Sequence, residues 1–178
     1  MDANYYNTLC LNENTNIKVA FLDFDDTLCI HLNKQRNKDE WFKAQVNQDL
    51  NYYLNEKKYR PMIGMNYLIH KLEDLKIPTF GLTCTEYSTV ESLKLNFVHH
   101  YYGNYIQKMI CTATKEFKIK FIENYCNLKN IRLDNVLLVD DNSITIHLAM
   151  DAGINIRTPQ EICACYGRQE IEYFMSPC

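Results

Sequence analysis

The sequence predicts an α/β fold: a Rossmann-like, doubly wound, mostly parallel sheet with helices on both faces. Three observations predict it. Short apolar runs, among them Val19 to Leu22, Ile77 to Leu82 and Val136 to Val139, alternate with longer segments whose apolar residues recur at helical spacing. The first and last of these runs are apolar throughout, which suits strands covered on both faces. Polar residues close three of the runs, where open α/β sheets hold their ligands. At 178 residues the chain is long enough for one well-buried core and short for two. Residues 1–178 are therefore read as a single domain, with 29–60 a small flap or helical insertion rather than a separate cap.

Val19 to Leu22 forms the first strand, and Cys29 to Asn37 a loop or short hairpin. Asp39 is placed to cap a helix whose apolar positions are Phe42, Val46, Leu50, Tyr53 and Leu54. Pro61 suits the first turn of a second helix, with Met65, Leu68, Leu72 and Leu75 as its buried stripe. The strand Ile77 to Leu82 runs into Thr83-Cys84-Thr85. Ser88 and Glu91 then form a capping box for the helix carrying Leu93, Leu95 and Val98.

Tyr105 to Ile110 reads as a third strand and Lys115 to Cys126 as a helix with Phe117, Phe121, Ile122 and Tyr125 on one face. Val136 to Val139 is a fourth strand ending in Asp140-Asp141. Ser143 to Ala152 is a helix that Gly153 terminates, and Ile154 to Ile156 a short fifth strand. Thr158-Pro159-Gln160-Glu161 combines a capping box with proline at the first helical position and opens a last helix.

Composition narrows the function classes. Apolar residues make up 47% of the chain, with only 5 Gly and 4 Pro, as in an ordinary globular protein. A net charge of -3 offers nothing for non-specific attraction to nucleic acid or an anionic membrane. Met1 to Asn16 is polar and lacks the basic start and apolar core of a signal peptide. The expectation is therefore a cytoplasmic protein with no membrane partner. The 8 cysteines are scattered, without a Cys-x-x-Cys pair, and several of them read as small buried hydrophobes in a reducing cytosol. Cys29-x-His31 and Cys163-x-Cys165 have zinc-ligand residue types, but the pairs lie far apart and nothing else supports a zinc site.

Chemistry concentrates at the strand ends. Asp23 and Asp25 follow the first strand and project toward one side if the extended conformation continues. Two converging carboxylates repel, so keeping both ionised calls for a positive partner, usually a metal ion. Thr83 and the pair Asp140/Asp141 close two further strands. Parallel strands share a C-terminal edge, so these residues can meet although they are distant in sequence.

With these segments in this order the chain resembles the haloacid dehalogenase superfamily of phosphohydrolases. The matching motifs are Asp23-Phe24-Asp25-Asp26-Thr27-Leu28, Phe80-Gly81-Leu82-Thr83, a lysine near the start of a helix, and Leu137-Leu138-Val139-Asp140-Asp141. The resemblance implies Asp23 as nucleophile, forming an aspartyl-phosphate, and Asp25 as general acid and then base. It implies Mg²⁺ held by Asp23, the backbone carbonyl of Asp25, and Asp140. Thr83 and a lysine would bind the substrate phosphate. Lys118 is preferred for its following Phe121 and Ile122, with Lys115 as second choice and Lys120 left as a solvated residue. Thr85, a weaker rival to Thr83, is read as a helix cap. Asp141 would bind metal through water or hold the lysine, Asn142 would cap the next helix, and Asp26 would serve the turn.

Asp25 favours phosphate ester over carbon–halogen chemistry, because dehalogenases of the superfamily lack an acid/base there. No stretch is long enough for a separately packed cap, so the expected phosphorylated substrate is large, such as a protein side chain or a nucleic-acid end. A neighbouring copy in an oligomer is an alternative lid. Two further readings stay open: a phosphotransferase using the same intermediate, and a non-catalytic module binding at the same edge. A response-regulator receiver shares the residue types, but its acidic pair comes first rather than last.

Overall fold

The computed structural model describes residues 11, 15–32, 38–85 and 89–166. Strand β1 (Val19–Leu22) is central in a five-stranded sheet. It lies between β4 (Thr79–Cys84) and β6 (Val136–Val139), with β5 (Met109–Thr112) and β7 (Asn155–Arg157) at the edges, and all four pairings are parallel. All four residues of β1 and of β6 are buried, as unbroken apolar runs require.

Alternation along β1 builds two cores. Ala20 and Leu22 face a cluster with Met65, Leu68 and Leu72 of α2 (Ile63–Asp74) and Leu93 and Phe97 of α3 (Val90–Tyr102). Val19 and Phe21 face the other cluster, with Ile119 and Ile122 of α4 (Lys115–Lys129) and Ala149 of α5 (Ser143–Asp151). Helices thus cover both faces, and the doubly wound parallel sheet stands as predicted. Within the sheet Gly81 lies beside Met109, whose Sδ is 2.5 Å from where a Cβ on Gly81 would sit. A side chain there would displace the end of the Met109 side chain, while the Met109 Cα, 3.6 Å away, stays at ordinary contact distance.

The segment after β1 departs from expectation. Cys29–His31 (β2) pairs antiparallel with Tyr59–Pro61 (β3), so Pro61 ends an edge strand and α2 starts two residues later. A two-stranded ribbon leaves proline's missing N–H uncostly on its open side. Helix α1 (Lys38–Val46) stops early, at a turn in which Gln48 adopts a positive φ of 50°. Its expected apolar stripe is not buried: Phe42, Val46 and Leu50 are 52%, 65% and 47% exposed. Ala44 and Gln45 face inward instead, and Tyr53 reaches the core from a separate 3₁₀ turn at Tyr52–Leu54.

Other boundaries shift by a few residues. β4 runs on through Thr83 to Cys84, and the third predicted strand forms at Met109–Thr112 rather than from Tyr105. Ser88 lies outside the described residues. α3 starts at Val90 behind Thr89, so Thr85 does not cap it. Thr158 and Glu161 form the predicted reciprocal cap: each backbone N–H donates to the other's side chain, at 2.7 and 3.2 Å. Helical residues 159–166 follow as α6. Among the described residues no helix is long and apolar enough to cross a membrane.

Candidate active site

The carboxyl edge of the sheet gathers the predicted residues. Asp23 leaves β1 with its backbone N–H donating to Val139 O at 2.9 Å, which sets it beside the end of β6. The chain then turns tightly. The amides of Leu28 and Cys29 both donate to Phe24 O, at 3.0 and 2.8 Å, and Asp26 takes a positive φ of 55°. Asp tolerates that conformation better than most residues, which gives Asp26 its turn role.

Asp140 is wholly buried at the end of β6. Its Oδ1 accepts from Asn142 N at 2.9 Å, and Oδ2 accepts from Lys118 Nζ at 2.6 Å. Asn142 is also the cap of α5, as predicted, accepting from Ile144 N and Thr145 N at 3.1 and 3.3 Å. Lys118 sits in the first turn of α4, whose N-cap Thr114 accepts from Phe117 N at 3.3 Å. Its ammonium lies 3.0 Å from Asp23 Oδ1 and bridges the two strand ends. Burial works against that charge, yet Asp23 and Asp140 outweigh it and hold the Lys118 pKa above its usual value. For Asp23, burial is the largest influence and raises its pKa. Lys118 opposes the rise, and Asp140 and Asp25 add to it.

A pocket of about 130 Å³ opens in front, lined by Asp23, Asp25, Asp26, Thr83, Cys84, Lys115, Asp141 and Asn142. Lys115, the second choice from sequence, is on the pocket wall. Lys118 is behind the carboxylates and fully buried. Among the described residues no lysine is ion-paired with Asp141; Lys118 is held by Asp23 and Asp140. Asp141 adds a third carboxylate to Asp23 and Asp140, each offering an oxygen within 4.8 Å of the others. Burial, followed by repulsion from Asp23 and Asp140, pushes its pKa up to about 6.

A family model of haloacid dehalogenase-like hydrolases matches residues 16–158, most of the chain. The chain belongs to that family. This haloacid dehalogenase-like hydrolase is also similar to two crystal structures of a HAD family enzyme from Bacteroides thetaiotaomicron. One shares 13% identity and covers 80% of this chain and 93% of that one, with a TM-score of 0.49. The other, its magnesium complex, shares 16% identity and covers 82% and 94%, with a TM-score of 0.48. No curated protein sequence matches the chain.

The donor set fits a hard divalent cation. Asp23 Oδ1 is buried, with the Lys118 ammonium 3.0 Å away as its ion-pair partner. Four carboxylates (Asp23, Asp25, Asp140, Asp141) face two buried lysines, Lys94 and Lys118. The formal imbalance is the charge of one divalent ion, and oxygen donors suit Mg²⁺. Cys165 is disulfide-bonded, which removes it from the zinc pairing and departs from the reduced state expected of the cysteines.

Near the site, Lys94 has no assignment from the sequence, and His31 only that of a zinc-ligand type. Lys94 of α3 is 2% exposed, and its Nζ donates to Asp25 Oδ2 and to Thr83 Oγ1, both at 2.6 Å. His31 Nε2 lies 2.9 Å from Asp25 Oδ1. A signal for Lys94 was present: Val90, Leu93, Phe97 and Val98 make a buried helical stripe, and Lys94 falls inside it. A lysine in such a stripe needs a buried partner. His31 carried no such mark, since its place depends on the β2–β3 pairing.

Proposed function

We propose that this hydrolase is a Mg²⁺-dependent phosphatase that cleaves a phosphate monoester through an aspartyl-phosphate on Asp23. The observation that carries the reading is the Asp23 carboxylate. It is buried at a strand end, ion-paired with Lys118, and Asp25 and Thr83 line the same pocket.

In the first step an Asp23 oxygen bonds to phosphorus as the ester P–O bond breaks, and Asp25 gives its proton to the departing oxygen. Water then attacks the phosphorus and passes a proton to Asp25, and the bond to Asp23 breaks to release phosphate. Thr83 donates to a phosphate oxygen, and Lys115 on the pocket wall balances its charge. Lys118 keeps Asp23 and Asp140 apart and oriented from behind. Asp23, Asp140 and Asp141 would hold Mg²⁺, which when bound offsets repulsion between the anionic nucleophile and the phosphate.

The pocket has room for a phosphate group and an ion, at about 130 Å³, and is small beside sites that enclose a whole metabolite, roughly 300–1,000 Å³. The rest of the substrate then lies outside, which favours a phosphate carried on a macromolecule. The test is hydrolysis of p-nitrophenyl phosphate by the wild type and Asp23→Asn, with Mg²⁺ and with EDTA. Activity is expected only in the wild type with Mg²⁺. Equal rates in the two proteins, or rates indifferent to EDTA, would overturn the proposal.

A further inference from the structure

We infer that Lys94 is a positioning residue for the second half of the reaction, holding Asp25 as the base for hydrolysis of the phosphoenzyme while leaving the Thr83 hydroxyl proton available to the phosphate. The inference rests on the phosphatase reading and goes beyond it to a residue on α3 that is not part of the pocket lining. Lys94 is anchored on every side. Its ammonium lies 4.8 Å from the Phe24 ring centroid, and Phe24 packs edge-on against Tyr53 and Phe97 at 5.1 and 5.4 Å. The buried chain around it has little freedom to move.

The chemistry of the donors gives the arrangement its direction. An ammonium has three protons to give and accepts none. Thr83 Oγ1 therefore accepts from Lys94 at 2.6 Å and keeps its own hydroxyl proton for another acceptor. Thr83 lines the pocket, so that acceptor is a phosphate oxygen when substrate is present. The same ammonium holds Asp25 Oδ2 at 2.6 Å while His31 engages Oδ1 at 2.9 Å. The carboxylate plane is thus fixed from two sides, and the water attacking the phosphoenzyme meets a base already in place. Misplacing a general base by even about 1 Å costs on the order of 100-fold.

The experiment separates the two chemical steps with p-nitrophenyl phosphate, whose leaving group departs with little help from an acid. Lys94→Met and Lys94→Gln are compared with the wild type and with Lys94→Arg, folding being checked by circular dichroism. In the Met and Gln variants we expect steady-state kcat to fall about 100-fold. A stoichiometric burst of p-nitrophenol and an accumulating, hydroxylamine-sensitive phosphoenzyme are expected with it, because hydrolysis of the intermediate has lost its aligned base. Lys94→Arg keeps a cation on Asp25 and should restore part of the rate and shrink the burst. A folded Met or Gln variant with wild-type kcat overturns the inference, as does one that is slow but shows no burst, since a purely structural defect slows both steps together. If neither folds, Lys94→Arg decides: a slowed enzyme with a burst supports the inference, and one without a burst overturns it. A wild type inert in the same assay overturns the phosphatase reading itself.

Discussion

The Lys118 ammonium donates to Asp140 Oδ2 at 2.6 Å, and both side chains are wholly buried. Removing one partner of such a pair leaves an uncompensated charge, which costs about 3–5 kcal/mol. Lys118→Met is therefore expected to lower the melting temperature in EDTA by ~2–4 °C for each kcal/mol lost. A divalent cation neutralises the same carboxylates, so Mg²⁺ should raise the melting temperature of the variant more than that of the wild type. Thermal unfolding with and without Mg²⁺ checks both. An equal shift in the two proteins would separate the lysine from the metal cluster.

Asp141 links the cluster to pH. Its carboxyl, held at about 6 against an ordinary 3.8, binds a proton in the folded state across a window where the unfolded chain has released it. The folded state binding more protons means that stability falls as pH rises through that window. The metal-free protein should thus lose stability between roughly pH 4 and 6 on this account, and Asp141→Asn should flatten the decline. Adding Mg²⁺ should stabilise the wild type more at pH 7.5 than at pH 5, where protons compete for the same oxygens. Melting curves across pH in EDTA and in Mg²⁺ measure each effect.

Tyr102 ties the ribbon to the body of the protein. Its hydroxyl donates to Leu28 O at 2.5 Å and accepts from Met62 N at 2.9 Å, joining the turn after β1 to the start of α2. Burial is the main reason its pKa is raised, so it stays a neutral donor. Tyr102→Phe removes a hydroxyl shared by Leu28 O and Met62 N, which still bond each other at 3.2 Å, and should cost about 0.5–1.5 kcal/mol. Denaturant unfolding reports the loss. Faster amide exchange at Met62 would place it at this junction.

The insertion allows a contrast between neighbours. Val46 and Leu50 are exposed, so Val46→Ser and Leu50→Asn should change stability by no more than about 0.5 kcal/mol. Tyr53 is buried and makes ring contacts with Phe24 and Tyr59 at 5.1 and 5.0 Å, so Tyr53→Ala should cost about 3–5 kcal/mol. Chemical denaturation of the three variants is enough. A large loss at Val46 or Leu50 would mean that the α1 stripe is covered in solution.

Much of the fold was legible because its signals are local. Unbroken apolar strands such as Val136–Val139 can exist only between two covered faces, and a Thr158–Glu161 cap or an Asn142 cap acts within one turn. The same held for the positions of Asp23 and Asp140, which follow directly on strands, and of Thr83, next to the end of one, so that all three inherit the edge of the sheet. The α1 stripe misled because helical spacing records which residues share a face and not whether anything covers it. Pro61 misled because proline suits an edge strand as well as a helix start, and only its partner Cys29, 32 positions earlier, decides between them.

The sequence by itself determined the class of fold, the family, and which strand ends carry acids, since each follows from residue type and short-range order. Tertiary structure decided which charges meet. Lys94 and Asp25 lie 69 residues apart, and Lys118 and Asp140 lie 22 apart, yet each pair is held at 2.6 Å. Such contacts depend on how helices cross the sheet and on what burial makes of a charge once water is gone. No spacing rule within a single segment encodes them.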